Sequence, residues 1–127
     1  MGYVYSKILD AAFDEAVAKT RDALAAEGFG VITEIDVQKT LKTKINVDFR
    51  RYLILGACNP ALAYEALKLE ANVGAMLPCN VVVQETGDRS EVSAIDPVAS
   101  MQAIDNPELK EKARLVADRL RSAIERL

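Results

Sequence analysis

The sequence predicts an α+β fold, a two-layer sandwich in which a mixed sheet of about five strands carries helices mainly on one face. Apolar segments of strand length alternate with amphipathic helical segments in the order β-α-β-α-β-α-β-β-α, and such elements bury their apolar faces in layers. A hairpin signal at residues 86–89 excludes a purely parallel sheet. With 127 residues, 50% of them hydrophobic, the chain is sized for one domain spanning 1–127.

The N-terminal half predicts two strands, each followed by a helix. Tyr3 to Leu9 is rich in strand-forming residues, and a helical repeat of apolar residues starts at Phe13 and stops at Gly28, which can adopt the left-handed C′ conformation. The next strand is expected from Phe29 to Ile35. Asp36 is a favoured N-cap residue, so a short helix should follow it.

The C-terminal half predicts three strands and two helices. Arg51 to Cys58 is a nearly continuous apolar run, and Asn59-Pro60 combines a favoured N-cap with a favoured first helical residue. Ala75 to Glu85 and Ser90 to Ile95 should form the hairpin. Asn106-Pro107 repeats the capping signal at the start of a long amphipathic helix.

Composition and charge exclude several functions. The chain has no histidine, which removes catalytic triads, Cys-His pairs and every metal site that needs imidazole. The net charge of -3 argues against a nucleic-acid partner. One segment, Lys39 to Arg51, holds five cations and one anion. It suits a small anionic ligand, or it is a solvated surface.

The compartment is expected to be the cytoplasm. The first residues lack the basic and apolar regions of a signal peptide, and no apolar stretch reaches the ~18 residues that would span a bilayer. We therefore expect no membrane partner. Two cysteines in a reducing compartment favour free thiols over a disulfide.

Two Cys-Asn pairs stand beside prolines, in Cys58-Asn59-Pro60 and in Pro78-Cys79-Asn80. Cys58 should end a strand immediately before a helix N-terminus, a place where sheets often bind ligands. Pro78 within an apolar strand indicates an edge strand or a bulge. The two segments are interpreted as a ligand pocket formed by Cys58, Asn59, Cys79 and Asn80, or alternatively as structural corners.

Five segments of the sequence together resemble the domain of unknown function 302 family over about residues 3 to 97. They are Asp14-Glu15-Ala16-Val17, Glu27-Gly28-Phe29-Gly30-Val31, Thr33-Glu34-Ile35-Asp36, Ile54-Leu55-Gly56-Ala57-Cys58-Asn59-Pro60 and Leu77-Pro78-Cys79-Asn80-Val81-Val82-Val83. The resemblance implies a small bacterial or archaeal α+β protein, often a dimer, without an established activity. Glu34 and Lys44 fit the same pattern, either as an ion pair at the pocket rim or as ordinary surface charges.

Three functions stay open at this stage, and catalysis is undecided. They are a ligand-binding protein, a thiol-dependent enzyme of small molecules that uses Cys58 or Cys79, and a non-catalytic dimeric interaction module. No cofactor or metal is expected, because nucleotide-binding glycine patterns are absent and two thiolates fall short of the usual zinc ligand set. If strands flanking the central helix are parallel, the cysteines should lie too far apart for a disulfide. Edge-like Pro78 and the apolar terminal helix favour a homodimer.

Overall fold

The protein, described here from a computed structural model over residues 2–127, is built on a five-stranded sheet. The strands are β1 (Val4–Leu9), β2 (Gly30–Asp36), β3 (Tyr52–Cys58), β4 (Cys79–Thr86) and β5 (Arg89–Ile95). Their spatial order is β1-β5-β4-β3-β2, and every neighbouring pair is antiparallel. The predicted α+β class is confirmed, whereas the predicted mixed sheet is wrong.

The helices explain why no parallel pair forms. They are α1 (Phe13–Ala26), α2 (Val37–Ile45), α3 (Pro60–Leu69), α4 (Pro97–Ser100) and α5 (Pro107–Glu125), and a 3₁₀ segment covers Ala71–Met76. A parallel crossover needs a helix that runs back along the sheet. Instead, α2 joins β2 to β3 at one end of the sheet, and α3 joins β3 to β4 at the other end. In both cases the chain re-enters the sheet at the end where it left, so the two strands are antiparallel.

Helices α1 and α5 cover one face of the sheet. Leu55, Val81, Val83 and Val92 point into this layer and are fully buried. The opposite face carries exposed apolar side chains, including Ile8, which is 50% exposed. The prediction of helices mainly on one face is therefore confirmed.

The predicted helix boundaries are confirmed where a side chain or a glycine sets them. The three predicted N-cap side chains accept backbone N–H bonds: Asp36 from Lys39 at 2.9 Å, Asn59 from Leu62 at 3.1 Å and Asn106 from Leu109 at 3.1 Å. Gly28, with φ of 86°, follows the end of α1, and the Phe29 N–H donates to the Leu24 carbonyl at 2.9 Å.

Pro78 lies in a different setting from the one predicted. Ala75 and Met76, predicted to begin a strand, instead belong to the 3₁₀ segment, and Val73 of that segment is buried in the smaller apolar cluster. Pro78 comes immediately before β4, where its missing N–H costs no ladder bond. Strand β4 is central rather than an edge, and the bulge occurs in β2 between Val31 and Thr33.

Two apolar clusters make up the core. The larger one lies between the sheet and helices α1 and α5. The smaller one joins α3, the 3₁₀ segment, α4 and the first half of α5, through Ala66, Val73, Met101, Leu109 and Ala113. Helix α5 belongs to both clusters, so they meet along it where β3 ends and β4 begins.

No helix within residues 2–127 combines the length and the apolarity needed to cross a lipid bilayer.

Candidate functional site

A cavity of about 210 Å³ opens where the two core clusters meet. Its walls come from the last residues of β3, the start of β4 and helices α3, α4 and α5. Most of the lining is apolar and includes Phe29, Leu62, Leu109 and Val116. This volume exceeds the ~150 Å³ that accommodates benzene in an apolar protein cavity, so a small organic molecule can enter.

The polar groups on the cavity are few and lack carboxylates. They are Cys58, Asn59, Cys79 and Lys112, and no Asp or Glu of residues 2–127 is among the lining residues. Lys112, on α5, makes no ion pair or hydrogen bond to a side chain within residues 2–127. An apolar chamber with a few nitrogen and thiol groups is typical of a small-molecule site.

The two cysteines lie at the same end of the sheet, contrary to the predicted separation. Cys79 pairs with Ala57 in the ladder, so Cys58 is only one residue further along β3. The prediction assumed parallel strands, whereas the antiparallel return brings the end of β3 beside the start of β4. Both thiols are free.

The environments of the two thiols differ. Cys79 is 6% exposed, and burial, followed by the nearby Cys58, raises its pKa to about 11. Cys79 is therefore a protonated, apolar wall residue at neutral pH. Cys58 is only partly buried, so it is the more accessible thiol of the cavity.

The oxygen and the nitrogen of the Asn59 side-chain amide have different surroundings. Its Oδ1 atom caps α3, as predicted. Its Nδ2 atom lies above Gly28: a Cβ built on Gly28 would be 3.2 Å from Asn59 Nδ2 and 3.3 Å from Arg119 Nη1. The amide and the guanidinium therefore converge over the same backbone position.

The structure does not bring Asn80 to the cavity. Asn80 lies inside β4, as the sequence suggested, opposite Gly56 in the ladder. Alternation along the strand places it on the uncovered face of the sheet, where it is exposed. The two Cys-Asn segments are therefore adjacent, and of the four residues predicted for the pocket, Cys58, Asn59 and Cys79 line the same chamber whereas Asn80 does not.

Glu34 and Lys44 also lie away from the cavity. Glu34, in β2, bonds to Arg21 of α1 rather than to Lys44. Lys44 belongs to α2, which leaves β2 at the end of the sheet where Asp36 pairs with Leu53. The cavity occupies the opposite end, so the expected Glu34–Lys44 pair at its rim does not form.

The basic segment from Lys39 to Arg51 is partly neutralised within the chain. Lys42 pairs with Asp48 at 2.9 Å, and Arg51 pairs with Asp14 at 2.8 Å. These pairs are exposed, which fits the solvated-surface interpretation of the segment.

Several cavity residues escaped the sequence analysis. Leu109, Ala113 and Val116 belong to the apolar stripe predicted for the terminal helix, but periodicity cannot show that part of a stripe borders a cavity. Lys112 in the cavity wall and Arg119 above Gly28 look like ordinary charges of an amphipathic helix. No local sequence signal distinguishes them.

The fold and site define a class of protein: a two-layer α+β domain with an apolar cavity at one end of an antiparallel sheet. The chain belongs to the family described as "Domain of unknown function DUF302", whose model matches residues 5–127. The predicted resemblance is thus confirmed, and it extends through α5.

A solved relative has the same fold. The crystal structure of the uncharacterized conserved protein DUF302 from Bacillus stearothermophilus is similar to this chain with a TM-score of 0.91 and 28% sequence identity. The similarity covers 99% of this chain and 98% of that one. No curated protein matches the sequence.

Proposed function

We propose that this protein binds a small apolar molecule in the cavity formed by Cys58, Asn59, Cys79 and helices α3, α4 and α5. The observation that carries the proposal is the chamber of about 210 Å³ at the junction of the two core clusters. The lining is mostly apolar and is open to solvent, so a bound apolar molecule would remove that apolar surface from water.

A plug in the cavity tests the proposal. The probe is 1-hexanol, a neutral molecule with an apolar chain, and its binding is measured by calorimetric titration. Ala63, on α3, lines the cavity, so Ala63→Phe should fill it and abolish binding while the protein stays folded. Ala61→Phe is the matched control, because Ala61 lies on the same helix, is exposed and does not line the cavity. Wild-type affinity in Ala63→Phe would place binding elsewhere.

Thiol chemistry is the second candidate function, and the structure favours Cys58 for it. Cys58 is partly exposed at the cavity and lies directly before the Asn59 cap of α3. The high pKa of Cys79 makes that thiol a poor nucleophile. The lining contains no carboxylate, so Lys112 is the cavity's candidate base. If the protein only binds its ligand, Cys58→Ser should retain 1-hexanol binding. If Cys58 is a nucleophile, the same substitution should abolish thiol-dependent turnover.

We also propose that the protein is a cytoplasmic homodimer. Two unbridged thiols suit a reducing compartment. The uncovered sheet face presents Ile8 and Ile35, each 50% exposed, and a second copy of the same face would cover them. The edge strand expected at Pro78 does not support the dimer, because β4 is a central strand.

A further inference from the structure

Two nitrogen donors that have no hydrogen-bond acceptor within residues 2–127 lie beside the apolar cavity. Asn59 Nδ2 and Arg119 Nη1 both approach the space above Gly28, at 3.2 Å and 3.3 Å from the position of a Cβ there. Asn59 itself lines the cavity, and Phe29, the residue after Gly28, forms part of its wall. Asn59 therefore belongs both to the pair of donors and to the wall of the apolar chamber.

The charge of Arg119 is left without a carboxylate partner in residues 2–127. The neighbouring acid Glu27, which precedes Gly28, is held by Arg126 at 2.6 Å. Asp118, the residue before Arg119, pairs with Arg121 at 2.8 Å. Other arginines thus occupy the acids next to Arg119, while its own guanidinium takes part in no ion pair in the described chain.

The backbone that Asn59 Nδ2 and Arg119 Nη1 approach is at Gly28, just after the end of α1. Gly28 has φ of 86°, which favours glycine, and its N–H donates to the Ala25 carbonyl at 3.0 Å. Because Gly28 has no side chain, the Asn59 amide and the Arg119 guanidinium can both approach this backbone position closely. Any side chain at this position would be strained and would crowd both donors.

We propose that the cavity selects an apolar monocarboxylate, whose chain enters the chamber while its carboxylate is held by Arg119 and Asn59 Nδ2. The inference rests on the proposed binding function and names its ligand class. A planar guanidinium matches the two oxygens of a carboxylate, and the amide adds a further N–H donor. The polar head stays near solvent, so only the apolar chain is removed from water.

Lys112 lies nearer the N-terminus of α5 than Arg119 does. It precedes Arg119 by seven residues, or about 10 Å along α5. It is the alternative cation for a carboxylate head, and the experiment must separate the two positions.

The test compares hexanoate with 1-hexanol, which have the same number of carbons, by calorimetric titration of the full chain. Wild-type protein should bind hexanoate more tightly. Arg119→Gln should weaken hexanoate about tenfold, because charge-assisted hydrogen bonds are lost, and should leave 1-hexanol within about twofold. Arg114→Gln, the same change at an exposed site on α5 outside the cavity lining, is the control and should change neither affinity.

The outcomes separate this inference from the proposed function. If 1-hexanol fails to bind wild-type protein, the proposed cavity function is wrong. If 1-hexanol binds but hexanoate binds no better, or Arg119→Gln leaves hexanoate unchanged, only the carboxylate inference is overturned. Loss of hexanoate in Lys112→Gln with retention in Arg119→Gln also overturns it, because the head would then lie at the other cation.

Discussion

Asn59 combines a structural role with a proposed binding role, and one substitution separates them. Asn59→Asp keeps an oxygen that can accept from the Leu62 N–H, so α3 should keep its cap. It removes Nδ2 and places a carboxylate beside Arg119. We expect a free energy of unfolding within about 0.5 kcal/mol of wild type. Hexanoate affinity should fall about tenfold or more, measured by titration beside a denaturant curve.

Asn80→Asp is the matched control for that substitution. The chemical change is identical, but Asn80 lies on the uncovered face of the sheet and outside the cavity. Hexanoate affinity should therefore equal that of wild type. An equal loss in both variants would show a general effect of the added negative charge and would contradict the role given to Asn59.

The reactivity of the two thiols provides a second residue-level prediction. An alkylating reagent at neutral pH should modify about one thiol per folded chain, because Cys79 is buried and its pKa is raised to about 11. Cys58→Ser should remove the fast reaction. After denaturation without reductant, both thiols of the wild-type chain should react. A denatured chain with no reactive thiol would show that a disulfide forms in solution.

The raised pKa of Cys79 also predicts an alkaline loss of stability. The unfolded thiol releases its proton near 9.0 and the folded thiol near 11, so the folded state binds more protons between these values. Stability is thus fully present below pH 9 and falls as the pH rises through this window. The loss of stability across this window is about 3 kcal/mol. Denaturant midpoints of Cys79→Ser should fall less between pH 9 and 11 than those of wild type, and parallel curves would refute the assignment.

At the scale of the elements, Gly56 sets the spacing of three neighbouring segments. A Cβ at Gly56 would lie 2.7 Å from Pro78 Cγ and would clash with Thr33 Oγ1. Strands β2 and β3 and the residue before β4 therefore meet over a bare backbone. Gly56→Ala should destabilise the protein by about 1 to 3 kcal/mol through overpacking, as measured by chemical denaturation.

Gly30→Ala is the corresponding control. Gly30 also lies in a strand, but a Cβ there would meet nothing within 4 Å. This variant should be close to wild type in stability, since alanine adds no clash. If Gly56→Ala is equally neutral, the close approach of Pro78 and Thr33 is not a constraint on the fold.

At the scale of the whole molecule, the uncovered sheet face predicts self-association. Light scattering should report about twice the chain mass of 13.9 kDa. Replacing both Ile8 and Ile35 by lysine puts charges on this face and should yield monomers without unfolding, because both side chains are half exposed. Leu115→Lys, on the exposed side of α5, should leave the dimer intact. A monomer at all wild-type concentrations would refute the proposed dimer.

The sequence by itself determined the features that depend on neighbouring residues. Asn59-Pro60 and Asn106-Pro107 placed helix starts correctly because a cap bonds to an N–H only three residues away. Gly28 marked the end of α1 for a similarly local reason. The apolar runs identified the strands and the α+β class, and the five short segments identified the family.

Only the tertiary structure decided which of these elements meet. Antiparallel pairing of β3 with β4 brings Cys58 and Cys79 to the same end of the sheet. The composition of either strand does not encode this proximity. The alternation of side chains then turns Asn80 away from the cavity. Helical periodicity shows that one face of α5 is apolar, but its partners depend on how the whole chain packs. The cavity, and the approach of Asn59 and Arg119 to Gly28, arise from that packing, because the residues involved are far apart in the chain.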